Sequence, residues 1–241
     1  FNESVRFTLL AEARTLMGAD LVVRLSVDPT DEELAFLQSF EGQGIDFTRV
    51  TETVSMSSSG SHPQPLLSSI KSADLSEYPY YGTLEFDPPN PKLTDDAVVV
   101  SADLLMRLGV VVGDTIKVSA GEFRIAAVAV KEPDRMTTGF TLGPRVLMTP
   151  AGYDTAGLNV PGSRATQRLL LRLPEGTDLE ATREAIQEVF GRRARVSDFT
   201  QENRTLSRGI RRATMFLSLV SLIALIVGGL GVATSIESHL Q

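Results

Sequence analysis

The feature that most constrains this chain is the run from Ala213 to Ile236, which carries no charged side chain and is filled mostly by leucine, isoleucine, valine and phenylalanine. As a helix rising about 1.5 Å per residue, it reaches roughly 36 Å, enough to cross a hydrocarbon core of about 30 Å. A buried helix of a soluble core is the competing account, but such helices rarely extend so far without a polar stripe. A transmembrane helix over 213–236 is therefore expected. Within it Ala224 and Gly228, and Gly229 and Ala233, stand at small-xxx-small spacing. With Gly231 they would let a neighbouring helix approach closely, unless they are small residues merely tolerated there.

Charge is distributed unevenly around that run. The net charge of the 241-residue chain is -7, yet seven arginines between Arg192 and Arg212 face only Asp198 and Glu202. Residues 1–191 therefore carry about -11. Arg204, Arg208, Arg211 and Arg212 form a basic collar directly before the apolar run, placed to meet anionic headgroups or else a solvated helix face. The acidic remainder argues against a nucleic-acid partner. Taken alone, the positive-inside bias would put the preceding domain in the cytoplasm, although that bias is weak for large translocated domains. The absence of cysteine removes disulfide and thiol chemistry.

Two segments share one design. Asp20–Leu25 reads as a strand, Thr30-Asp31-Glu32-Glu33 as a capping box opening a helix, and Ile45–Met56 as a second strand. Gln167–Leu173, the box Thr177-Asp178-Leu179-Glu180, a helix ended by Gly191 and a strand over 193–197 repeat the scheme. Two such units predict a split βαβ, ferredoxin-like domain of α+β class over 19–74 and 166–197. Residues 75–165 have the chemistry of short strands and turns and are expected to form an inserted β-rich subdomain. Its features are a hairpin at Thr115–Val128, short helices opening at Ser101 and Thr149-Pro150, and mobile loops at 136–144 and 154–164. Residues 1–18, ending at a Gly18 cap, read as a stalk helix arriving from an upstream span, because the Phe1–Arg6 opening lacks the order of a secretory signal. Residues 198–212 read as the stalk into the following span.

This layout, with Leu108-Gly109-Val110-Val111-Val112-Gly113-Asp114-Thr115 in the insert and Leu225-Ile226-Val227-Gly228-Gly229-Leu230-Gly231 closing the apolar helix, resembles the MacB/FtsX/LolC-E permeases. Met17-Gly18-Ala19-Asp20 and the Tyr78-Pro79 region look most similar to the YbbP-like branch. The resemblance implies a Porter-type periplasmic core domain in a permease of the bacterial inner membrane, with residues 19–197 on the periplasmic or extracellular side. It implies no cofactor in this chain, ATP being bound by a separate cytoplasmic ABC ATPase subunit. The other implied partners are a second permease subunit or copy, membrane lipid, and possible periplasmic proteins. The implied activity is transmission of ATP-driven movement to a hydrophobic or amphiphilic cargo. An FtsX-like domain that docks and activates a periplasmic hydrolase is the alternative.

Catalytic chemistry finds no constellation in the sequence. His62 and His239 are the only histidines, and His62 sits in the serine-rich stretch Ser57–Pro63, read as a solvated loop without a G-x-S-x-G elbow. Asp95-Asp96 could flank a sugar or hold Ca²⁺, but neighbours on a strand point apart, which favours a capping or turn role. No G-x-x-x-x-G-K-[ST] phosphate loop is present. Tyr78, Tyr80 and Tyr81 are the densest aromatic group, suited to packing between subdomains or to contacting cargo or a partner.

Overall fold

Strand β1 (Leu21–Leu25) is apolar on both faces except at Arg24, as a strand with neighbours on both sides and cover above and below must be. The computed structural model describes residues 12–60, 64–136, 143–160 and 162–199. It opens in a helical segment, α1 (12–17), which ends at Gly18 in the left-handed conformation, φ +72°. Helix α2 (Asp31–Gln38) starts at the expected capping box: the Thr30 hydroxyl accepts from Glu33 N, and the Glu33 carboxylate from Thr30 N. Strands β2 (Asp46–Ser59) and β3 (Leu66–Ala73) form a long hairpin, followed by β4 (Glu85–Asp87) and β5 (Ala97–Ser101). Helix α3 (Ala102–Leu108), the hairpin β6 (Thr115–Val118) and β7 (Gly121–Lys131), β8 (Arg145–Met148) and α4 (Pro150–Thr155) come next. Strand β9 (Thr166–Arg172), α5 (Leu179–Phe190) and β10 (Ala194–Asp198) complete the series.

The first expected unit and its repeat meet as β10-β1-β9-β2, every pair antiparallel, which is the ferredoxin-like order. Helices α2 and α5 cover one face, burying Leu37, Ile186 and Phe190 against Leu21, Val23, Leu25, Leu169 and Leu171. The repeat's cap lies one residue later than its sequence suggests. Asp178, not Thr177, caps α5 by accepting from Glu180 N and Ala181 N, and Glu180 pairs with Arg183 rather than reaching back.

The inserted segment continues the same sheet. Strand β3 pairs in parallel with β8, and the sheet runs on without a break as β3-β8-β5-β7-β4, so ten described strands make one sheet. The extended end of β2 adds a second tie to this half. Ser57–Ser59, read as part of a solvated loop, continue the strand and pair with β6, with Ser57 1% exposed and the Ser59 hydroxyl donating to Leu108 O. Helices α3 and α4 pack on the same face as α2 and α5, over Ile70, Val98, Val100 and Val146. The hairpin at 115–128 and the helix starts at Ser101 and Thr149 stand where the turn chemistry put them; the Thr149 hydroxyl accepts from Gly152 N.

Chain contacts divide the molecule into a unit ending at Phe199 and a second, Thr200–Gln241. The stalk expected at 198–212 from Thr200 onward, the span at 213–236, the collar arginines and the small residues of the span all lie outside the described residues. Among the described residues, no helix is long and apolar enough to cross a membrane.

Candidate functional site

Both chain connections leave the sheet at one place. Helix α1 ends at Gly18, immediately before β1. Strand β10 ends at Asp198, register partner of Leu21, and Phe199 N donates to Asp20 O. Asp20, 1% exposed, ties this root together. Its carboxylate pairs with Arg14 of α1 at 2.9 Å and accepts from Tyr81 Oη at 2.8 Å and Leu173 N at 2.9 Å. The Arg14 guanidinium lies 4.5 Å from the Phe199 ring centre and 5.5 Å from that of Tyr81, so one cation bridges the first connection, the second and the loop between. Burial and the hydrogen bond to Asp20 push the Tyr81 hydroxyl up to about 12.

The loop carrying Tyr81 runs from this root into the middle of the sheet. Tyr80 N and Tyr81 N both donate to Gly18 O. Gly82, at φ +88°, admits no Cβ, because that atom would stand 2.8 Å from Pro133 and 3.0 Å from Thr15 of α1. Three residues earlier than Tyr81, the Tyr78 hydroxyl engages Lys71 and Asp134. These belong to a buried cluster of Lys71, Arg145 and Arg168 against Glu52, Glu132 and Asp134, three charges of each sign.

Lys71 Nζ lies 2.6 Å from Asp134 and 2.7 Å from Glu132; Arg168 Nη1 lies 2.6 Å from Asp134 and 3.4 Å from Glu52. Arg145 Nε is 3.3 Å from Glu132, and its Nη1 donates to Ser69 Oγ. Burial by itself would raise the Asp134 carboxyl, but Lys71 and Arg168 outweigh it and hold the group well below the usual carboxylate range. Burial and the neighbouring Asp134 push Tyr78 well above the usual phenol range. The cluster joins β2, β3, β8 and β9 with the segment after β7, and so pins the ferredoxin-like half of the sheet to the inserted half. Its buried ion pairs tie the two halves of the sheet together directly.

The three tyrosines thus occupy different positions. Tyr78, expected as a contact for cargo or a partner, is 2% exposed, and its hydroxyl is spent within the cluster; it packs between the two halves. Tyr80 stacks under Arg172, 5.1 Å from its ring centre, and with Tyr81 remains partly accessible. Asp95 accepts from the Thr149 hydroxyl and Asp96 from that of Thr94, which are turn roles. Of the arginine-rich run, Arg192, Arg193 and Arg195 lie at the start of β10, within the first unit.

Sequence reasoning missed the cluster altogether. Its members are scattered over more than a hundred residues, and only one signal was available: Lys71 interrupts an otherwise apolar or small-residue strand.

An α+β domain whose two chain connections leave the sheet side by side, with a split ferredoxin-like core, is the class to which a solved structure corresponds. The periplasmic region of MacB from Actinobacillus actinomycetemcomitans superposes with a TM-score of 0.55 over 83% of this chain and 98% of that one, at 11% identity, which establishes the fold. The MacB-like periplasmic core domain family matches residues 11–189, and this chain belongs to that family, within the MacB/FtsX-like ABC permease superfamily. Among curated relatives, the ABC transporter permease YbbP of Escherichia coli (strain K12), described as uncharacterized, is 28% identical over 231 residues, 96% of this chain. The probable syringafactin export ATP-binding/permease protein SyfD of Pseudomonas syringae pv. tomato is 33% identical over 85 residues, 33% of this chain. The chain spans 28% of the length of the first and 13% of the second.

Proposed function

We propose that this domain is the extracytoplasmic part of an ABC permease subunit that transmits ATP-driven movement to the export, extraction or hand-over of a hydrophobic or amphiphilic cargo. The observation that carries the reading is the root. Displacing either connection loads β1 and β10, which are hydrogen-bonded neighbours, and Arg14, Asp20 and Phe199 prevent one connection from moving without the other. The tyrosine loop and the buried cluster then pass the displacement to the far half of the sheet. In this reading the chain itself performs no catalysis and holds no cofactor; ATP is bound by a cytoplasmic ATPase. The names of relatives that join ATP-binding and permease functions support that coupling. The permease sits in the inner membrane with a second permease subunit or copy, residues 19–197 facing outward and the collar arginines meeting lipid.

Two measurements test this on the full-length permease with its ATPase. A single cysteine at the exposed Glu188, in a chain that has none of its own, should react in intact cells with a reagent that cannot cross the inner membrane; protection until lysis would reject the outward placement. Spin labels at the same position in two copies should change separation between ADP and a non-hydrolysable ATP analogue. An unchanged separation would reject transmission. Movement with activation of a bound hydrolase, and no transfer of cargo, would move the assignment to the signalling alternative.

A further inference from the structure

Over the middle of the sheet, beside α4 and the loop before α2, lies a cleft of about 150 Å³. Its floor is one cross-strand row. Thr51 on β2 is the register partner of Gln167 on β9 and of Ser72 on β3, so all three side chains project from the same face. They are 8%, 4% and 4% exposed. The row is apolar on either side of them, with buried Leu25 beside Gln167 and buried Met148 beside Ser72. Polar side chains therefore interrupt a buried apolar row where the cleft stands above it. The walls are fixed by bonds that leave atoms over. Gln167 Oε1 accepts from Thr51 Oγ1 at 2.7 Å and from Arg49 Nε at 3.0 Å, and its Nε2 donates to Asp28 Oδ1 at 2.8 Å. Arg49 Nη2 donates to the same Asp28 oxygen, and Asn159 Nδ2 donates to Asp154 Oδ1. One proton on Gln167 Nε2, Arg49 Nη1 and the second oxygens of Asp28 and Asp154 keep their bonding capacity. Ser72 lines the cleft, and among the described residues no hydrogen bond engages its hydroxyl.

We propose that this cleft binds a single sugar ring. Each sugar hydroxyl donates one hydrogen bond and accepts two, which suits a surface that holds donors and acceptors side by side in fixed positions. The ligand is neutral, because Asp28 already balances the charge of Arg49, the only cation in the lining. Tyr153 and Pro150 add an apolar wall for the carbon-hydrogen face of the ring. The volume admits one ring rather than a chain. The bland account is a polar network that satisfies itself and stiffens the sheet. That account covers Thr51, Arg49, Asp28 and Gln167, but it calls for neither the unbonded Ser72 hydroxyl nor a cleft above the row. The inference does not depend on the transport reading, since equilibrium binding needs neither ATP nor a second subunit, and its failure leaves that reading standing.

The test is saturation-transfer NMR followed by calorimetric titration, on the full chain in a polyoxyethylene detergent, which carries no sugar of its own. Methyl α-D-glucopyranoside, methyl α-D-mannopyranoside and N-acetyl-D-glucosamine are the probes, with glycerol and glycylglycine as non-sugar controls. At least one sugar should bind saturably, with a Kd of about 1 mM. Ser72→Ala removes one hydroxyl and should weaken that binding by about twofold to tenfold; Ser72→Val also fills the space and should weaken it by about tenfold or more. Because the hydroxyl has no partner within the described chain, Ser72→Ala should leave the thermal midpoint unchanged. A lowered midpoint would assign the hydroxyl to the fold and overturn the proposal. Absence of sugar binding, or binding that both Ser72 variants leave unchanged, overturns it too. Glycerol or glycylglycine bound as tightly as any of the sugars would also overturn the assignment of a sugar ring.

Discussion

Arg24 and Arg168 face each other across β1 and β9, yet they live in opposite electrostatic worlds. Arg168 has a side chain 1% exposed and lies against Asp134 and Glu52 in a cluster whose charges balance. Arg24 is only partly buried and opens, with Arg195, onto a concavity without a carboxylate in its lining. Removing a charge from water costs several kcal/mol unless partners replace the lost hydration, so the cation at the centre of the sheet must be neutralised within the chain. The partly buried cation nearer the rim keeps part of its hydration. One strand-to-strand step thus separates a buried structural pin from a partly hydrated cation.

Breaking the pin gives the largest expected effect. Asp134→Asn leaves Lys71 and Arg168 with too few anions and should lower stability by about 3–5 kcal/mol, read from the urea midpoint of the chain. Arg168→Met should cost a similar amount, while Arg24→Gln should cost about 1 kcal/mol or less; equal losses would erase the contrast. Combining Lys71→Met with Asp134→Leu restores charge balance and should destabilise by less than the sum of the two single changes, by about 1–3 kcal/mol of coupling.

Acid sharpens the same comparison. The Asp134 carboxyl is held below its unfolded value, so the stability it supplies is complete above the unfolded carboxylate pKa of about 3.9 and is lost as pH falls toward the folded one. Urea midpoints measured from pH 6 to pH 3 should therefore fall in the parent, and fall less in Asp134→Asn. A smaller loss, about 2 kcal/mol, is expected for Asp20→Ala at the root, because Leu173 N and the Tyr81 hydroxyl lose their acceptor. Smallest of all is Arg172→Ala, which breaks an ion pair to Asp46 that is about half exposed on both sides; under about 1 kcal/mol is expected, and less in high salt.

Much of the ferredoxin-like half was legible because its signals are local. The Thr30 box, the Gly18 and Gly191 caps and the strand read at Gln167–Leu173 act within a few residues, and each stands as read or within one residue of it. The insert was legible as hairpin and turns but not as an extension of the sheet, since the parallel pairing of β3 with β8 joins residues about 76 apart. Ser57 and Ser59 look like a loop by composition but are strand because they pair with β6, and Ser57 with β3 as well. Among the candidate site residues, the tyrosine group was found from its density. The fate of Tyr78 was not, because an aromatic ring reads alike in sequence whether it meets cargo or a buried lysine.

What the sequence by itself determined is the set of short-range choices: where helices start and stop, which strands alternate, and where acidic and basic residues concentrate. Capping, turn chemistry and side-chain periodicity act over distances that the chain cannot rearrange. Tertiary structure alone decided that six charges from five separate segments meet in one dry place, and that a tyrosine loop straps them to the root where both connections leave the sheet. Coulombic and hydrogen-bond pairing depend on three-dimensional separation, and only the completed sheet brings those groups within reach of one another.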